Sequence, residues 1–192
     1  MKKKLIIATV GLVPVLAMAN YFDFTTMLGN AYFVGAQTGY SQISYPNNVS
    51  SKTGFPVPLS VDFGQRFQIN DRLYLGYETS FGYVGYHAFK VGNTDVSQNL
   101  LQANILGTVT GFLNPYVELH GKAGLAFQMN LNSDKSVYAA NAVIGAGVGV
   151  YVAPKTQLTG DIMHTFGDSG SYPYTHNTIR NTQFLVGIKT YF

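Results

Sequence analysis

The sequence predicts an all-β fold: an eight-stranded antiparallel up-and-down transmembrane β-barrel, preceded by a cleavable signal peptide. Three observations predict it. Apolar and polar residues alternate with a period of two in eight segments, and the connections between these segments are alternately long and short. Charged residues make up only 11% of the chain, against about 25% in an ordinary soluble domain. No apolar run after the leader is long enough for a membrane helix, which leaves a barrel as the way to cross a bilayer.

The N-terminus has the layout of a secretory signal peptide. Three lysines at positions 2–4 precede an apolar run from Leu5 to Leu16, and Ala17-Met18-Ala19 is a small-residue cleavage site. We expect cleavage after Ala19. The predicted organisation is a signal peptide at 1–19, a periplasmic N-terminal segment at 20–30 and an outer-membrane barrel at 31–192.

Net charge and cysteine content exclude several functional classes. The chain has 12 basic and 9 acidic residues, and three of the basic ones lie in the leader, so the mature chain is neutral. A nucleic-acid binder would need a concentrated basic face, so we predict no nucleic-acid partner. The absence of cysteine excludes disulfides and thiolate metal sites.

In nearly every predicted strand, one face is apolar or aromatic and the other is polar, charged or glycine. In the fifth strand, for example, Glu118, His120 and Lys122 alternate with apolar residues. Alternating glycines, as at 145, 147 and 149, suit a crowded barrel interior better than a soluble surface, so the polar face should point inward. The predicted strands are approximately Tyr32–Ser41, Leu59–Gln68, Arg72–Val84, Asn99–Thr110, Tyr116–Gln128, Tyr138–Val152, Thr156–Phe166 and Thr182 to the C-terminus.

The connections set the orientation of the barrel. Long segments rich in Asn, Gly, Pro and Ser lie at 42–58, 85–98, 129–137 and 167–181, and short ones lie near 69–71, 111–115 and 153–155. Membrane barrels have short periplasmic turns and longer external loops. We therefore expect four external loops and both chain ends in the periplasm.

The inward-facing charges predict a paired network. An eight-stranded barrel is just wide enough to be filled by side chains, and a lone buried charge is costly. We expect four acids to be balanced by three bases, with direct contact between Arg66 and Glu78 across a short turn. The network either simply fills the lumen or forms the plug of a gated pore. Its predicted members are Asp62, Arg66, Glu78, Glu118, Lys122, Asp161 and Lys189.

Two motifs resemble the transmembrane domain of the OmpA family and, more loosely, the OmpX-like small barrels. The stretches YFVGA at 32–36 and GYSQ at 39–42 resemble that family's first strand, and YLGYE at 74–78 resembles its third. The resemblance covers most of the mature chain. It implies that Glu78 lies inside the barrel and pairs with basic residues to block a narrow water path. The sequence departs from the family where Gln37 replaces a possible lysine and where the fourth strand has no lysine.

The C-terminal array resembles the signature that the outer-membrane assembly machinery recognises, so we expect that machinery to be a partner. The alternative is a closing strand that happens to end in phenylalanine. The array alternates up to the last residue and consists of Phe184, Val186, Ile188, Thr190 and Phe192.

The expected function is that of a small integral outer-membrane protein of a Gram-negative bacterium. It would have a structural and surface-interaction role, adhesin- or opacity-like, and would contact membrane lipid, lipopolysaccharide and host or cell-surface ligands. Exposed polar and aromatic residues in the external loops favour this interpretation. They are Tyr86, His87, Lys90, Asp95, Tyr172, Tyr174 and Arg180.

A narrow gated pore is the first alternative, and a lipid-modifying enzyme is the second. A hydrolytic enzyme of this kind would need a histidine beside a serine or aspartate near the external rim. His164 with Asp168, or His176 with Ser171, are the candidate pairs. No nucleophile motif frames either pair, so we predict no enzyme, no cofactor and no metal.

Overall fold

The computed structural model describes residues 29–44, 49–53, 56–91, 94–131, 137–167 and 180–192. The leader and most of the segment at 20–30 lie outside this range. The described part contains no helix that is both long and apolar enough to cross a membrane. Its strands are β1 (Ala31–Ile43), β2 (Val49–Thr53), β3 (Leu59–Asn70), β4 (Leu73–Val91), β5 (Thr94–Asn114), β6 (Val117–Leu131), β7 (Val137–Ala153), β8 (Thr156–Thr165) and β9 (Asn181–Tyr191).

Eight of these strands close into an antiparallel barrel, which confirms the predicted fold class. The order around the wall is β4-β3-β1-β9-β8-β7-β6-β5, and β5 pairs back onto β4. The first and last barrel strands are neighbours, in register from Phe33 with Tyr191 to Ile43 with Asn181. Tyr32 and Phe192 exchange two backbone hydrogen bonds of 3.1 and 3.0 Å. Backbone pairing between β1 and β9, which closes the barrel, therefore extends to the last residue of the chain.

Most of residues 85–98 belong to β4 and β5, so the prediction of a long connection there is wrong. β4 and β5 continue as a paired ribbon until Val91 meets Thr94. The two residues between the strands are Gly92 and Asn93, a glycine-containing pair of the kind that favours two-residue hairpin turns. In the sequence, this pair was the signal that indicated a hairpin.

The short strand β2 was not predicted. It pairs with the upper part of β4, from Val49 with Val91 to Thr53 with Ala88, and so continues β3 along the same edge of β4. Two prolines, Pro56 and Pro58, lie between β2 and β3. Proline cannot donate to a strand ladder, so it interrupts what would otherwise be one long strand.

Gly85 marks the level at which β4 leaves the barrel wall. The register with β5 shifts between Tyr83 and Gly85, and Gly85 has a φ of 127°. A Cβ atom there would lie 2.5 Å from the Cα of Pro56. Both the backbone conformation and the close approach therefore require glycine at this bulge.

Two of the short turns are held by the same type of hydrogen bond. The Asn70 Oδ1 accepts hydrogen bonds from the backbone N–H groups of Arg72 and Leu73, at 2.9 and 3.0 Å. The Asn114 Oδ1 accepts them from Tyr116 and Val117, also at 2.9 and 3.0 Å. These asparagine turns fix the register of the β3–β4 and β5–β6 hairpins.

The faces of the strands follow the predicted alternation. Outward residues such as Leu59, Phe81 and Val186 are 56–61% exposed, whereas inward Asp62 and Glu78 are 1% and 3% exposed. The apolar face points away from the barrel axis and the polar face points into the lumen. Val150 has the outward phase but is buried, between its cross-strand neighbours Val117 and Leu158.

The glycines of the wall fall into two sets. A Cβ on inward Gly39 would overlap the carbonyl oxygen of Phe184, whereas a Cβ on outward Gly107 would have its nearest neighbour at 3.8 Å. The obstacle at Gly39 is backbone on the paired strand, so it cannot swing aside. Inward glycines are therefore needed for strands to approach, and outward ones are not.

We expect Gly39→Ala to destabilise the barrel by about 1–3 kcal/mol through overpacking. The matched change Gly107→Ala, on the lipid face, should be neutral or stabilising by up to about 1 kcal/mol, because it only restricts the unfolded chain. Urea unfolding of barrels refolded into liposomes measures both. Equal losses at the two positions would contradict the inward crowding.

Candidate functional site

The candidate functional site is the interior of the barrel, and it is filled in four levels. From the end of the barrel with the short turns, these are an aromatic cage, a charge cluster, an apolar ring and a chain of amides. All seven charged residues expected inside the barrel have buried side chains, each at most 5% exposed.

Glu78 lies at the centre of the charge cluster. Its Oε1 contacts the Lys122 Nζ at 2.9 Å and its Oε2 contacts the Lys189 Nζ at 2.5 Å, so both carboxylate oxygens are engaged. Lys122 also contacts the Asp161 Oδ1 at 2.9 Å. These contacts join β4, β6, β8 and β9 across the lumen, so the cluster ties together strands that are not neighbours in the wall.

Gln37 extends the cluster to β1. Its Nε2 donates a hydrogen bond of 2.9 Å to the Asp161 Oδ2. The position at which the related family can carry a lysine is thus occupied here by a neutral donor to the same buried network. Asp161 is consequently held through both of its oxygens.

Arg66 lies in the aromatic cage, near the end of the barrel with the short turns. Its guanidinium contacts the Glu118 Oε2 at 3.5 Å and donates to the Tyr151 hydroxyl at 2.5 Å, which in turn donates to the Glu118 Oε2 at 3.1 Å. Its Cζ lies 4.2 Å from the ring centre of Tyr191 and 5.0 Å from that of Tyr74, distances at which cation–π attraction contributes. The cage rings are Tyr74, Phe112, Tyr151 and Tyr191.

The contact expected between Arg66 and Glu78 is replaced by the Arg66–Glu118 pair. Arg66 is in register with Gly76, two residues closer to the turn than Glu78. Glu78 is meanwhile occupied by Lys122 on β6 and Lys189 on β9, two strands that do not adjoin β4. Adjacency in the sheet therefore did not decide the partner, because long side chains reach across the lumen.

His120 joins the two groups of charges and was not included in the predicted network. Its Nε2 lies 2.7 Å from the Asp161 Oδ1, and its Nδ1 lies 3.6 Å from the Glu118 Oε1. His120 therefore hydrogen-bonds to Asp161 and lies close to Glu118, and so links the two groups of charges. The inward phase of His120 between Glu118 and Lys122 was the sequence signal for it.

Asp62 stands apart from these direct ion pairs. Its Oδ1 accepts a hydrogen bond of 3.2 Å from the Ser60 hydroxyl, and among the described residues it forms no salt bridge. It is nevertheless 1% exposed. The structure therefore brings six of the seven predicted residues, with His120, into one connected network and leaves Asp62 beside it.

Above the charges lies an apolar ring, followed by the amide chain. The Asn141 side chain donates to Gln128, Gln128 donates to Gln102, Gln102 donates to Asn104, and Asn104 donates to the Ser80 hydroxyl. Each of these bonds is 2.7–2.8 Å long. No pattern in the sequence predicted this chain of amide side chains. The apolar ring consists of Leu106, Ala126, Val143, Met163 and Leu185.

A cavity of about 20 Å³ lies between the charge cluster and the amide chain, lined by residues such as Gln37, Glu78 and Asn104. That volume is near the minimum for one water molecule. Among the described residues, side chains therefore fill the lumen at each of these four levels.

Of the residues in the two candidate catalytic pairs, His164 alone lies in the described part of the chain, and it contacts Thr182 and Phe166. The His164 Nδ1 lies 2.8 Å from the Thr182 hydroxyl, and its ring meets Phe166 edge-on with centroids 4.7 Å apart. Asp168, Ser171 and His176 lie outside the described residues. Within the described ranges, no group of three acidic or histidine side chains is arranged to hold a metal ion.

The C-terminal array lies on the outer face of β9. Phe184, Val186, Ile188 and Phe192 are 44–67% exposed, and Thr190 shares their face. β9 pairs with β1 on one side and with β8 on the other.

A closed antiparallel barrel with an apolar exterior and a charge-filled interior defines a small outer-membrane barrel protein. Residues 5–192 match the family model described as "Outer membrane protein beta-barrel domain". This chain belongs to that family. A comparison with curated proteins finds no match.

Solved structures with the same fold come from several bacteria. OprG of Pseudomonas aeruginosa is 11% identical with a TM-score of 0.54, over 85% of this chain and 96% of that one. Neisserial surface protein A is 14% identical with a TM-score of 0.53, over 85% and 99%. Ail of Yersinia pestis is 14% identical with a TM-score of 0.52, over 85% and 97%. Identities this low show the fold alone.

We expect Tyr151→Phe to destabilise the barrel by about 1.5–3 kcal/mol, the range for a hydrogen bond to a charged group. The lost hydroxyl lies between Arg66 and Glu118 in a buried site. Tyr77→Phe is the matched control, because the Tyr77 ring is on the outer face and its hydroxyl lies 3.5 Å from Gln65. Its effect should stay within about 0.5 kcal/mol. Denaturant unfolding in liposomes compares them, and similar losses would contradict the role of the buried hydroxyl.

Proposed function

We propose that this protein is a closed outer-membrane anchor with an adhesin- or opacity-like role, which acts through the parts of the chain on the external surface. The observation that carries the proposal is the filled lumen. Since side chains block the interior at four levels, the surfaces beyond the membrane are left as the place where the protein can act on a ligand.

The buried ion pairs favour an anchor over a gated pore. To open a path, Glu78 would have to leave two lysines, and breaking a buried pair typically costs about 3–5 kcal/mol. The same contacts stabilise the barrel if it never opens. The network therefore fits a structural role in the wall more simply than it fits a gate.

The tall β4–β5 ribbon offers a surface for such contacts. A transmembrane strand needs about 9–11 residues, and β4 already reaches that length at Tyr83. The seven residues from Gly85 to Val91 add about 20 Å along the strand at 3.3 Å per residue. They are flanked by β5 and β2, and Lys90 is exposed near the tip.

A structural neighbour supports a surface ligand of this general kind. Ail of Yersinia pestis has been solved in complex with the heparin analogue sucrose octasulfate, at 14% identity and a TM-score of 0.55. By analogy, a sulfated sugar is the first probe for this chain. Lipopolysaccharide and host surface ligands belong to the same proposal.

Export and insertion complete the proposed function. The leader at 1–19, cleaved after Ala19, would direct the chain to the periplasm. The exposed C-terminal array would then be the segment offered to the assembly machinery.

The surface role is tested by shortening the ribbon. Replacing residues 87–98 with Asn-Gly joins the paired residues Tyr86 and Asn99 through a favourable hairpin turn. Bacteria that produce this variant should attach to cultured host cells and to heparin-coated plates only as well as bacteria without the protein. The variant should still migrate faster on a gel when unboiled, which shows a folded barrel.

The control for this experiment is Asp71→Asn in a periplasmic turn, which should leave attachment at the wild-type level. If the shortened variant is folded and attaches as well as the wild type, the ribbon is not the contact surface.

A further inference from the structure

A row of polar side chains crosses the outer face of the barrel near the end with the long connections. Gln42 on β1 pairs in register with Thr182 on β9, and Thr182 pairs with His164 on β8. The next residues along the strands, Asn181 and Thr165, are each 1% exposed and point into the lumen, so the row points outward. Polar groups on a wall that faces acyl chains need a polar partner.

This row lies where the apolar band of the wall ends. Toward the middle of the wall, the next outward row is 44–53% exposed and consists of Tyr40, Phe184 and Ile162. Tyr32 is outward near the other end of β1, at 53% exposed. The ten residues from Tyr32 to Gln42 rise about 33 Å along the strand, or about 25 Å along the barrel axis at the usual tilt. That is the height of the apolar band of a membrane barrel, so the polar row meets the lipid headgroups.

His164 is held in place by two contacts. Its Nδ1 lies 2.8 Å from the Thr182 hydroxyl, and its ring meets Phe166 edge-on, with centroids 4.7 Å apart. When the Thr182 hydroxyl donates to Nδ1, the ring proton is on Nε2, which becomes a donor. Among the described residues, Nε2 has no hydrogen-bond partner. The imidazole therefore offers a donor on the far side of its ring from Thr182.

Arg180 adds a positive charge beside the row. Its carbonyl oxygen accepts a hydrogen bond of 3.0 Å from the Ser44 N–H, which continues the pairing of β1 with β9. Its side chain is exposed and lies on the same face as Thr182, because residues two apart in a strand share a face. Guanidinium, imidazole and amide N–H groups are all donors, and an arginine fork matches the geometry of phosphate. The row and Arg180 together include no acidic residue.

We propose that Arg180, His164 and Gln42 bind the phosphate of a lipid headgroup in the outer leaflet. The Arg180 guanidinium and the His164 Nε2 donate to phosphate oxygens, and the acyl chains of the lipid lie along the aromatic residues of the next row. The site rests on the position of the barrel in the outer membrane and on the predicted external position of the long connections. Two strands separate it from the β4–β5 ribbon on each side of the barrel, so it does not depend on the ribbon.

The site is tested with a short-chain lipid in an uncharged detergent that contains no phosphate. The full chain, refolded and ¹³C-labelled at histidine, is titrated with dioctanoyl phosphatidic acid, and the His164 signal is identified as the one lost in His164→Gln. We expect a saturable shift of that signal. Dioctanoylglycerol, which has the same chains without the phosphate, should not shift it. Inorganic phosphate should bind at least about tenfold more weakly, because it has no chains to concentrate it at the wall.

Arg180→Gln should weaken the binding of phosphatidic acid about tenfold, the effect of losing one hydrogen bond between charged groups. The matched control is Arg72→Gln, which removes an exposed cation from the turn between β3 and β4 and should bind like the wild type. The heat-dependent gel shift verifies that each variant is folded. An equal shift with dioctanoylglycerol, equal binding of inorganic phosphate, or unchanged binding by Arg180→Gln would overturn the proposal. None of these outcomes bears on the surface role of the ribbon, which every variant retains.

Discussion

Four carboxylates lie inside a barrel too narrow to hydrate them, and their neutralisation constrains the rest of the molecule. Lys122, Lys189 and Arg66 supply three positive charges, and His120 lies between the Asp161 and Glu118 carboxylates. The ion pairs of the network cross the lumen, so the wall must leave room for long side chains. At Gly147 a Cβ would lie 2.6 Å from the His120 Nε2 and 2.7 Å from the Asp161 Oδ1. The inward glycines are therefore part of the charge network, because a larger residue would displace the groups that neutralise one another.

The levels above and below the charges have a common effect. The aromatic cage lets Arg66 interact with ring faces in addition to Glu118, and the amide chain provides partners for polar groups that would otherwise be buried alone. The apolar ring lies between the charge cluster and the amide chain. Together they fill the described part of the interior with side chains. The proposed function therefore rests on the surfaces beyond the membrane, such as the tall β4–β5 ribbon.

Much of the fold could be predicted from the sequence, because strand alternation determines which face each side chain occupies. Glu78, Lys122 and Asp161 could thus be assigned to the interior from their phase alone. Their partners could not be assigned in the same way. Arg66 binds Glu118 and not Glu78, since reach across the lumen depends on strand tilt and side-chain length, which alternation does not encode. The β4–β5 ribbon was missed because its polar composition suggested a loop, although Gly92-Asn93 indicated a hairpin. The amide chain was missed because single Gln and Asn residues show their function only when five positions from four strands meet.

The central claim is that the lumen is closed by its own side chains. Single-channel recording in planar bilayers tests this most directly, with the full chain refolded and its gel shift verified. The comparison is a variant in which Glu78, Asp161, Lys122 and Lys189 are all replaced by serine, which empties the cluster by removing two charges of each sign. We expect no conductance steps for the wild type and measurable steps for the variant. Stable wild-type conductance in most recordings would contradict it, and would favour a pore over an anchor.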